Sequence, residues 1–412
     1  MPNRRQFVAL ACPLLAACAG SSNAGQGNAS TAVANAASSA TGSASTTASS
    51  TVNATAAANG NAAQCGWPAW EAFRNRFMQA DGRIIDFSAN DHSTSEGQAY
   101  GLFFALVAND RAAFDLILNW ARTNLAGGDL TARLMAWHWG KRPDGSWGVL
   151  DANAASDADL WLAYTLYQAA HVWHDPAMRA SAELLQARIE KELIIQIAGV
   201  GPVLLPGPQG FALKSGGWKL NPSYLPLQVL YGLQREAPRG PWQALAKTTL
   251  AMFDAITPQL LVADWVAIRP QQGFVLDAEV GATGSYDAIR TYLWAGMLPG
   301  GDPARSRLLA RMRGMLPLLE KNGVPPHRVN TGNGNLSDGA GPLGFSAALL
   351  PFLAASGAQQ LLDSQRQRIS AGGGLPAIYY EQALGLFALG FLEKRFQFAR
   401  DGKLVLSKQA VC

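Results

Sequence analysis

Apolar residues recur every three or four positions along most of the chain after Cys65, which predicts helices that bury one face or are buried all round. This spacing is clearest over 97–108, 110–123, 157–172, 176–196, 242–255, 285–297, 304–320 and 376–394. Strand-like alternation is rare, with 263–277 (ADWVAIRPQQGFVLD) as the best candidate. With roughly eleven or twelve helical segments and no exact repeat, the pattern predicts an all-α domain of paired helices.

The chain before this region follows a different pattern. Two arginines and an apolar run end at Cys18, so residues 1–17 are interpreted as an export signal that is too short to span a bilayer. The Leu-Ala-Ala-Cys ending resembles a lipobox, which predicts a lipidated Cys18; an ordinary signal peptide cut elsewhere is the alternative. Residues 18–63 are almost wholly Ala, Ser, Thr, Asn and Gly and are expected to form a flexible linker before a catalytic domain over 64–412.

Cysteine usage adds one expectation about this domain. Export implies an oxidising compartment, and Cys65 and Cys412 bracket the domain at its two ends. Because the termini of one domain often lie close together, we predict a disulfide between them. Two unpaired surface thiols are the alternative.

Charge excludes one class of partner and aromatic content favours another. The chain has 33 Lys and Arg against 29 Asp and Glu, a net charge of +4, so no nucleic-acid surface is expected. The 12 Trp and 9 Tyr residues supply rings of the kind that stack on pyranose sugars, although core packing must explain most of them.

Three carboxylates stand out as candidates for chemistry. Glu96 lies in STSEGQAYG, Asp157 in ASDADLW and Asp287 in GSYDAIR, each where a helix is predicted to begin. A pair of carboxylic acids, one donating a proton and one activating water, is what hydrolysis of a glycosidic bond requires. Judged singly, Glu96 and Asp287 are better explained by the start of a helix, where acidic side chains cap and complement the dipole, and this explanation is also open for Asp157.

Metal and cofactor sites find little support. His171, His174 and Asp175 have loosely metal-like spacing, but the polar end of one helix explains them more simply. The run that starts at Asp151 lacks the glutamate of a calcium loop, because its twelfth position is Leu162. No P-loop, GxSxG elbow or dinucleotide fingerprint occurs, so neither a metal nor a cofactor is expected.

Five motifs occur in order between about Cys65 and the C-terminus: SEGQxYGxFFALxANDRxAFD, SDADLW, NPSYLP, SYDAIR and GFSAALLPFL. Through them the chain resembles the glycoside hydrolase family 8 endoglucanases, and most closely the periplasmic cellulases of bacterial cellulose synthase operons. The resemblance implies an (α/α)6 barrel with six inner helices, six outer helices and an open substrate groove.

The resemblance also implies a role for each carboxylate. Glu96 matches the proton donor, Asp287 the catalytic base, and Asp157 the aspartate that positions the sugar at subsite −1. The family inverts configuration, so the carboxyl groups of Glu96 and Asp287 are expected to stand about 6.5–9.5 Å apart. Side chains expected to bind substrate are Trp137 or Trp139, Trp218, Tyr286, Arg290, and Tyr379 or Tyr380.

The expected protein is thus an inverting endo-1,4-β-glucanase that hydrolyses cellulose without a cofactor and acts in bacterial cellulose biosynthesis and export. We expect a periplasmic monomer anchored through Cys18, with secretion as the alternative. Its expected partners are β-1,4-glucan chains, and the cellulose synthase complex is a candidate. Open alternatives are a chitosanase, mixed-linkage glucanase or xylanase of the same family, and a non-catalytic glycan-binding lipoprotein.

Overall fold

A computed structural model of the chain describes residues 66–407. The predictions for the signal segment, Cys18, the linker, Cys65 and Cys412 lie outside these residues. The described α-helices are α1 (Pro68–Phe77), α2 (Ser95–Val107), α3 (Arg111–Asn124), α4 (Ser156–Trp173), α5 (Pro176–Leu193), α6 (Leu227–Glu236), α7 (Trp242–Ile256), α8 (Ala288–Met297), α9 (Pro303–Met312), α10 (Met315–Asn322), α11 (Leu343–Ala355), α12 (Gln359–Ala371) and α13 (Tyr379–Leu392).

Short strands occupy the connections. They are β1 (Ser93–Thr94), β2 (His138–Lys141), β3 (Trp147–Asp151), β4 (Ile194–Ile197), β5 (Gly201–Leu204), β6 (Trp218–Leu220), β7 (Val266–Arg269), β8 (Gly273–Val275), β9 (Thr283–Gly284), β10 (Pro326–Asn330), β11 (Leu336–Ala340), β12 (Phe396–Phe398) and β13 (Leu404–Leu406). Three of the sheets they form have three antiparallel strands each: β1-β2-β3, β6-β7-β8 and β9-β10-β11.

The helices divide into two kinds by the pattern of their buried residues. In α4 every residue from Ser156 to Ala170 is buried, and in α11 every residue from Gly344 to Leu353 is. In α3, by contrast, the buried positions are limited to one face at helical spacing. A helix that is apolar all round must be enclosed by other helices, whereas an amphipathic helix covers the outside of a core.

The enclosed helices α2, α4, α6, α8, α11 and α13 form a closed inner ring, with the amphipathic helices packed outside it. Phe387 of α13 stands at its centre, with its ring 4.7 Å from Phe104 of α2, 5.1 Å from Trp161 of α4 and 5.1 Å from Trp294 of α8. The fold is therefore the predicted (α/α)6 barrel.

Helices α4 and α8 begin at the same end of the barrel, as the contact between Arg290 in the first turn of α8 and Asp157 in the first turn of α4 shows. The three-stranded sheets lie in the connections that lead from outer helices into inner ones. This end of the barrel thus brings together the N-termini of inner helices and irregular loops rich in polar and aromatic side chains.

Five predicted segments need correction. The helix over 376–394 begins three residues late, at Tyr379, and ends at Leu392. The single helix expected over 304–320 was wrong, because it breaks between α9 and α10 at Gly314, where an added Cβ would lie 2.4 Å from the carbonyl oxygen of Gln259. The strand expected over 263–277 is a hairpin of two strands, β7 and β8. The helix over 176–196 ends three residues early at β4, and the helix over 285–297 begins three residues late.

Within residues 66–407, no helix is both long enough and apolar enough to cross a membrane.

Candidate active site

Glu96 lies in the first turn of α2 and is half-buried as a residue. The capping function belongs to Thr94, whose hydroxyl accepts a hydrogen bond from the backbone N–H of Gly97 at 3.1 Å. The Ser95 hydroxyl donates to Oε2 of Glu96 at 3.1 Å. Because another residue caps the helix, the Glu96 carboxyl is left for other chemistry.

Asp157 lies in the first turn of α4 and is 1% exposed. Its Oδ2 accepts a hydrogen bond from Nη1 of Arg290 at 2.9 Å, and its Oδ1 accepts one from the backbone N–H of Ala158 at 3.0 Å. Both oxygens are therefore held in place by donors from two different helices.

Asp287 directly precedes α8 and makes no side-chain capping bond. Its Oδ1 instead accepts a hydrogen bond from Nη2 of Arg290 at 2.6 Å, three residues along the chain. The alternative interpretation of Asp287 as a helix cap is thus wrong.

Arg290 joins these groups. Its guanidinium contacts Asp157 and Asp287, and its Nη1 also donates to the Tyr100 hydroxyl at 3.0 Å. The residue is 6% exposed and lies 5.5 Å from the ring centroid of Tyr224. The prediction placed Arg290 among the substrate-binding residues; its contacts in the structure are with the acidic side chains and a tyrosine beside them.

Charge within this group favours a protonated Glu96. Three carboxyl groups share one guanidinium, so full ionisation would leave two uncompensated negative charges in a poorly solvated site. Desolvation, followed by the negative charge of Asp157, raises the pKa of Glu96 to about 8. Burial likewise raises the pKa of Asp157 to about 6, against the opposing effect of Arg290. Near neutral pH, the proton of this group therefore resides mainly on Glu96.

The predicted aromatic residues divide by location. Trp137 and Trp139 lie beside β1. Trp139 pairs with Ser93, and the carbonyl oxygen of Trp137 accepts a hydrogen bond from the Ser95 N–H at 3.0 Å. Both are half-buried and lie beside the segment that carries Glu96. Trp139 also stacks on Trp147, with ring centroids 5.3 Å apart.

The tyrosines lie near Asp287. Tyr286 and Tyr380 are half-buried, with ring centroids 5.8 Å apart, and the Tyr380 hydroxyl donates to the Tyr286 carbonyl oxygen. Tyr379 is 8% exposed and packs on Phe73 and Phe77, so it belongs mainly to the core. Of the alternatives Tyr379 and Tyr380, the more exposed Tyr380 is the better candidate for a sugar contact.

Trp218, the remaining predicted aromatic, is half-buried on β6 opposite Ile268 of β7. Close by in the same part of the barrel is Trp265, which the sequence analysis did not single out. Its ring packs against Phe211 at 6.1 Å and lies 4.0 Å from Nζ of Lys219. A tryptophan directly before an apolar strand gives no sequence signal that separates it from core packing.

Two further carboxylates near the site also escaped the sequence analysis as functional candidates. Asp159 is fully buried and its Oδ1 accepts from the backbone N–H of Met135 at 3.2 Å, which does not fit a helix-cap role. Asp264, half-buried before β7, accepts hydrogen bonds from the turn that carries Asp287. The sequence gives no signal for these contacts, because the partners are far apart along the chain. The partner of Asp159 lies 24 residues away, and the two partners of Asp264 lie 21 and 24 residues away.

No group of three or more His, Cys, Asp or Glu side chains in the described part of the chain is arranged to hold a metal ion.

Comparisons with known proteins agree with this geometry. Residues 45–394 match the family described as glycosyl hydrolases family 8. The chain is 45% identical over 357 residues to an endoglucanase of Xanthomonas axonopodis pv. citri (85% of this chain, 91% of the relative) and 44% identical over 350 residues to an endoglucanase of Salmonella typhi (85% and 93%). The crystal structure of an endo-1,4-D-glucanase from Vibrio fischeri ES114 superposes with a TM-score of 0.76 at 38% identity, covering 83% of this chain and 99% of that one.

Proposed function

The chain belongs to glycosyl hydrolase family 8 and is a glycoside hydrolase of the endoglucanase type, and we propose that it cleaves β-1,4-glucan chains with inversion, using Glu96 as acid and Asp287 as base. The observation that carries the assignment is that Asp157 and Asp287 share the buried guanidinium of Arg290, close to Glu96, whose pKa is raised by burial and by the negative charge of Asp157.

Glu96 supplies the proton. A general acid must be protonated at the working pH, and a carboxyl with a pKa of about 8 meets this condition near neutrality. In the reaction, the Glu96 proton passes to the glycosidic oxygen as its bond to the anomeric carbon breaks, and the leaving chain departs with a free hydroxyl.

Asp287 activates water. Arg290 holds Oδ1, which leaves Oδ2 for a water molecule on the opposite face of the sugar. This water gives one proton to Asp287 while its oxygen bonds to the anomeric carbon, so the new hemiacetal has the inverted configuration. Exchange with solvent then removes the proton from Asp287 and returns one to Glu96.

Asp157 and the aromatic residues hold the substrate. Asp157 is fixed between Arg290 and the start of α4, which suits a carboxylate that positions the sugar at the cleavage point. Trp137 and Trp139 beside Glu96, and Trp218, Tyr286 and Tyr380, offer partly exposed rings for stacking on glucose units. The printed names of the relatives, endoglucanase and endo-1,4-D-glucanase, support a β-1,4-glucan as the substrate.

Release of reducing ends from carboxymethyl cellulose tests the proposal. We expect Glu96→Gln and Asp287→Asn each to reduce kcat by at least about 10³-fold, because each removes a proton-transfer group. Glu183→Gln, on the exposed face of α5, is the matched control and should stay within about twofold of the unaltered protein. NMR of the first products should show the α-anomer; an initial β-anomer would contradict inversion.

The same assay separates the alternatives. Chitosan, mixed-linkage glucan and xylan run in parallel would reveal another activity of the family. A folded protein that binds glucan but turns over none of these polymers would instead be a non-catalytic glycan-binding protein.

The setting is also part of the proposal. The Leu-Ala-Ala-Cys sequence supports lipidation of Cys18 and a periplasmic, membrane-anchored enzyme that acts on glucan during cellulose synthesis and export. Membrane fractionation should then find the full chain with membranes and Cys18→Ala in the soluble fraction. Equal partition of both into the soluble fraction would contradict the anchor.

A further inference from the structure

Asp264 lies where two of the small sheets meet the start of α8. It follows the buried segment Leu261–Ala263 and directly precedes Trp265 and β7. Its backbone N–H donates to the carbonyl oxygen of Thr283 in β9 at 2.7 Å. The main chain of Asp264 is thereby tied to the strand that leads into Asp287.

The Asp264 side chain satisfies the first backbone donors of α8. Its Oδ1 accepts hydrogen bonds from the N–H groups of Ser285 and Ala288, both at 2.8 Å, and the N–H of Asp287 contributes a further bond to the carboxyl. The first N–H groups of a helix have no partner within the helix, and an aspartate at the cap position normally satisfies them. Here Asp287 occupies the cap position without making such a bond, and a residue from a distant segment makes it instead.

This exchange of roles matters because the carboxylate of Asp287 cannot cap the helix and face a water molecule at the same time. We propose that Asp264 is a positioning residue for the catalytic base: by capping α8 from outside, it keeps the Asp287 carboxylate turned toward Arg290 and the attacking water. The inference rests on the proposed role of Asp287 as base.

Two other observations agree with this arrangement. The Ser285 hydroxyl donates to the His327 carbonyl oxygen at 2.7 Å, so the turn before Asp287 is also held from β10. Burial and the negative charge of Asp287 raise the pKa of Asp264 to about 7, which indicates that the two carboxyl groups interact. An Asn side chain, which keeps the accepting oxygen and has no charge, should therefore replace Asp264 with little loss.

The test uses steady-state kinetics of the full-length protein on carboxymethyl cellulose. In Asp264→Ala the freed N–H groups compete for the Asp287 carboxylate, and we expect kcat to fall about 100-fold with KM within about twofold. Asp264→Asn should retain kcat within about fivefold. Asp264→Glu keeps the charge but displaces the oxygens, and should lose about as much as the Ala variant.

Asp302→Ala is the matched control, because Asp302 is a buried aspartate that caps the outer helix α9 through the N–H of Ala304 at 2.9 Å. It should leave kcat unchanged even if the protein unfolds at a lower temperature. In an Asp287→Asn background, Asp264→Ala should reduce the residual kcat by less than about twofold, since the group that Asp264 positions is already gone.

Two outcomes would overturn the proposal: an Asp264→Ala loss that persists in the Asp287→Asn background, or an Asp264→Glu variant more active than Asp264→Asn. The second comparison remains decisive if the Ala variant does not fold. If Asp287→Asn alone keeps the turnover of the wild type, the assignment of Asp287 as base is wrong. This result differs from the two outcomes above, so the failure of each proposal can be recognised separately.

Discussion

At the residue scale, chemistry at this site depends on which side chains cap the inner helices. Glu96 and Asp157 stand in first turns and Asp287 at the cap position of α8, where an acidic residue commonly serves the helix itself. The structure assigns capping to Thr94 for α2 and to Asp264 for α8. The carboxyl group of Glu96 is consequently available for the proposed proton donation, and that of Asp287 for the proposed contact with water.

Replacing Asp157 by Asn should move the pH profile. The negative charge of Asp157 is one cause of the raised pKa of Glu96, so its removal favours ionisation of Glu96. A general acid is inactive once ionised, and we therefore expect the alkaline limb of kcat/KM to shift from near pH 8 to lower pH, by about one unit.

Asp159→Asn is the control for this shift. Burial raises the pKa of Asp159 well above its usual range and so favours its neutral form, and we expect its replacement to change little charge beside Glu96. The alkaline limb of the kcat/KM profile of Asp159→Asn should match that of the unaltered protein. An unshifted limb in Asp157→Asn would show that Asp157 does not control the proton on Glu96.

At the element scale, the inner helices are held by aromatic packing across the barrel centre. Helix α13 is joined in this way to α2, α4 and α8 through Phe387. Periodicity predicted most of these helices, since a long apolar segment is helical wherever it is enclosed. The break at Gly314 was not predicted, because it depends on a contact with the distant backbone of Gln259. The hairpin in 263–277 was missed although β7 and β8 pair locally, because the turn between them was included in one strand.

Phe387→Ala should destabilise the domain strongly. The side chain is 1% exposed, and its removal leaves a cavity that several helices line and cannot easily close. We expect a loss of about 3–5 kcal/mol in the free energy of unfolding, measured by chemical denaturation. Leu184→Ala, at a site 55% exposed on α5, should cost less than about 0.5 kcal/mol. Equal losses in the two variants would contradict the central role of Phe387.

At the scale of the whole molecule, the two ends of the described chain meet at one residue. Nη1 of Arg395 donates to the carbonyl oxygen of Gly66 at 2.8 Å, and the carbonyl oxygen of Arg395 accepts from the N–H of Ser407 at 3.0 Å. Cys65 precedes Gly66, and Cys412 follows Ser407 by five residues, a length that spans up to about 17 Å when extended. Both cysteines lie outside the described residues, and the disulfide stays a prediction.

The disulfide prediction is tested by alkylation and intact mass. Protein isolated without reductant should bind no alkylating agent at Cys65 or Cys412 until it is reduced. Replacing both cysteines by Ser should lower the free energy of unfolding by about 2–4 kcal/mol, because the unfolded chain gains freedom. Two alkylated thiols in the unreduced protein would contradict the bond.

The sequence by itself determined the class of fold, the positions of most helices and the three carboxylates, because periodicity and short motifs are local properties. Only the tertiary structure decided which groups surround those carboxylates. Arg290 meets Asp157 across 133 residues, and Asp264 caps a helix that begins 24 residues later. Burial and charge at these contacts decide which group keeps its proton, and neither exists until distant segments have packed together.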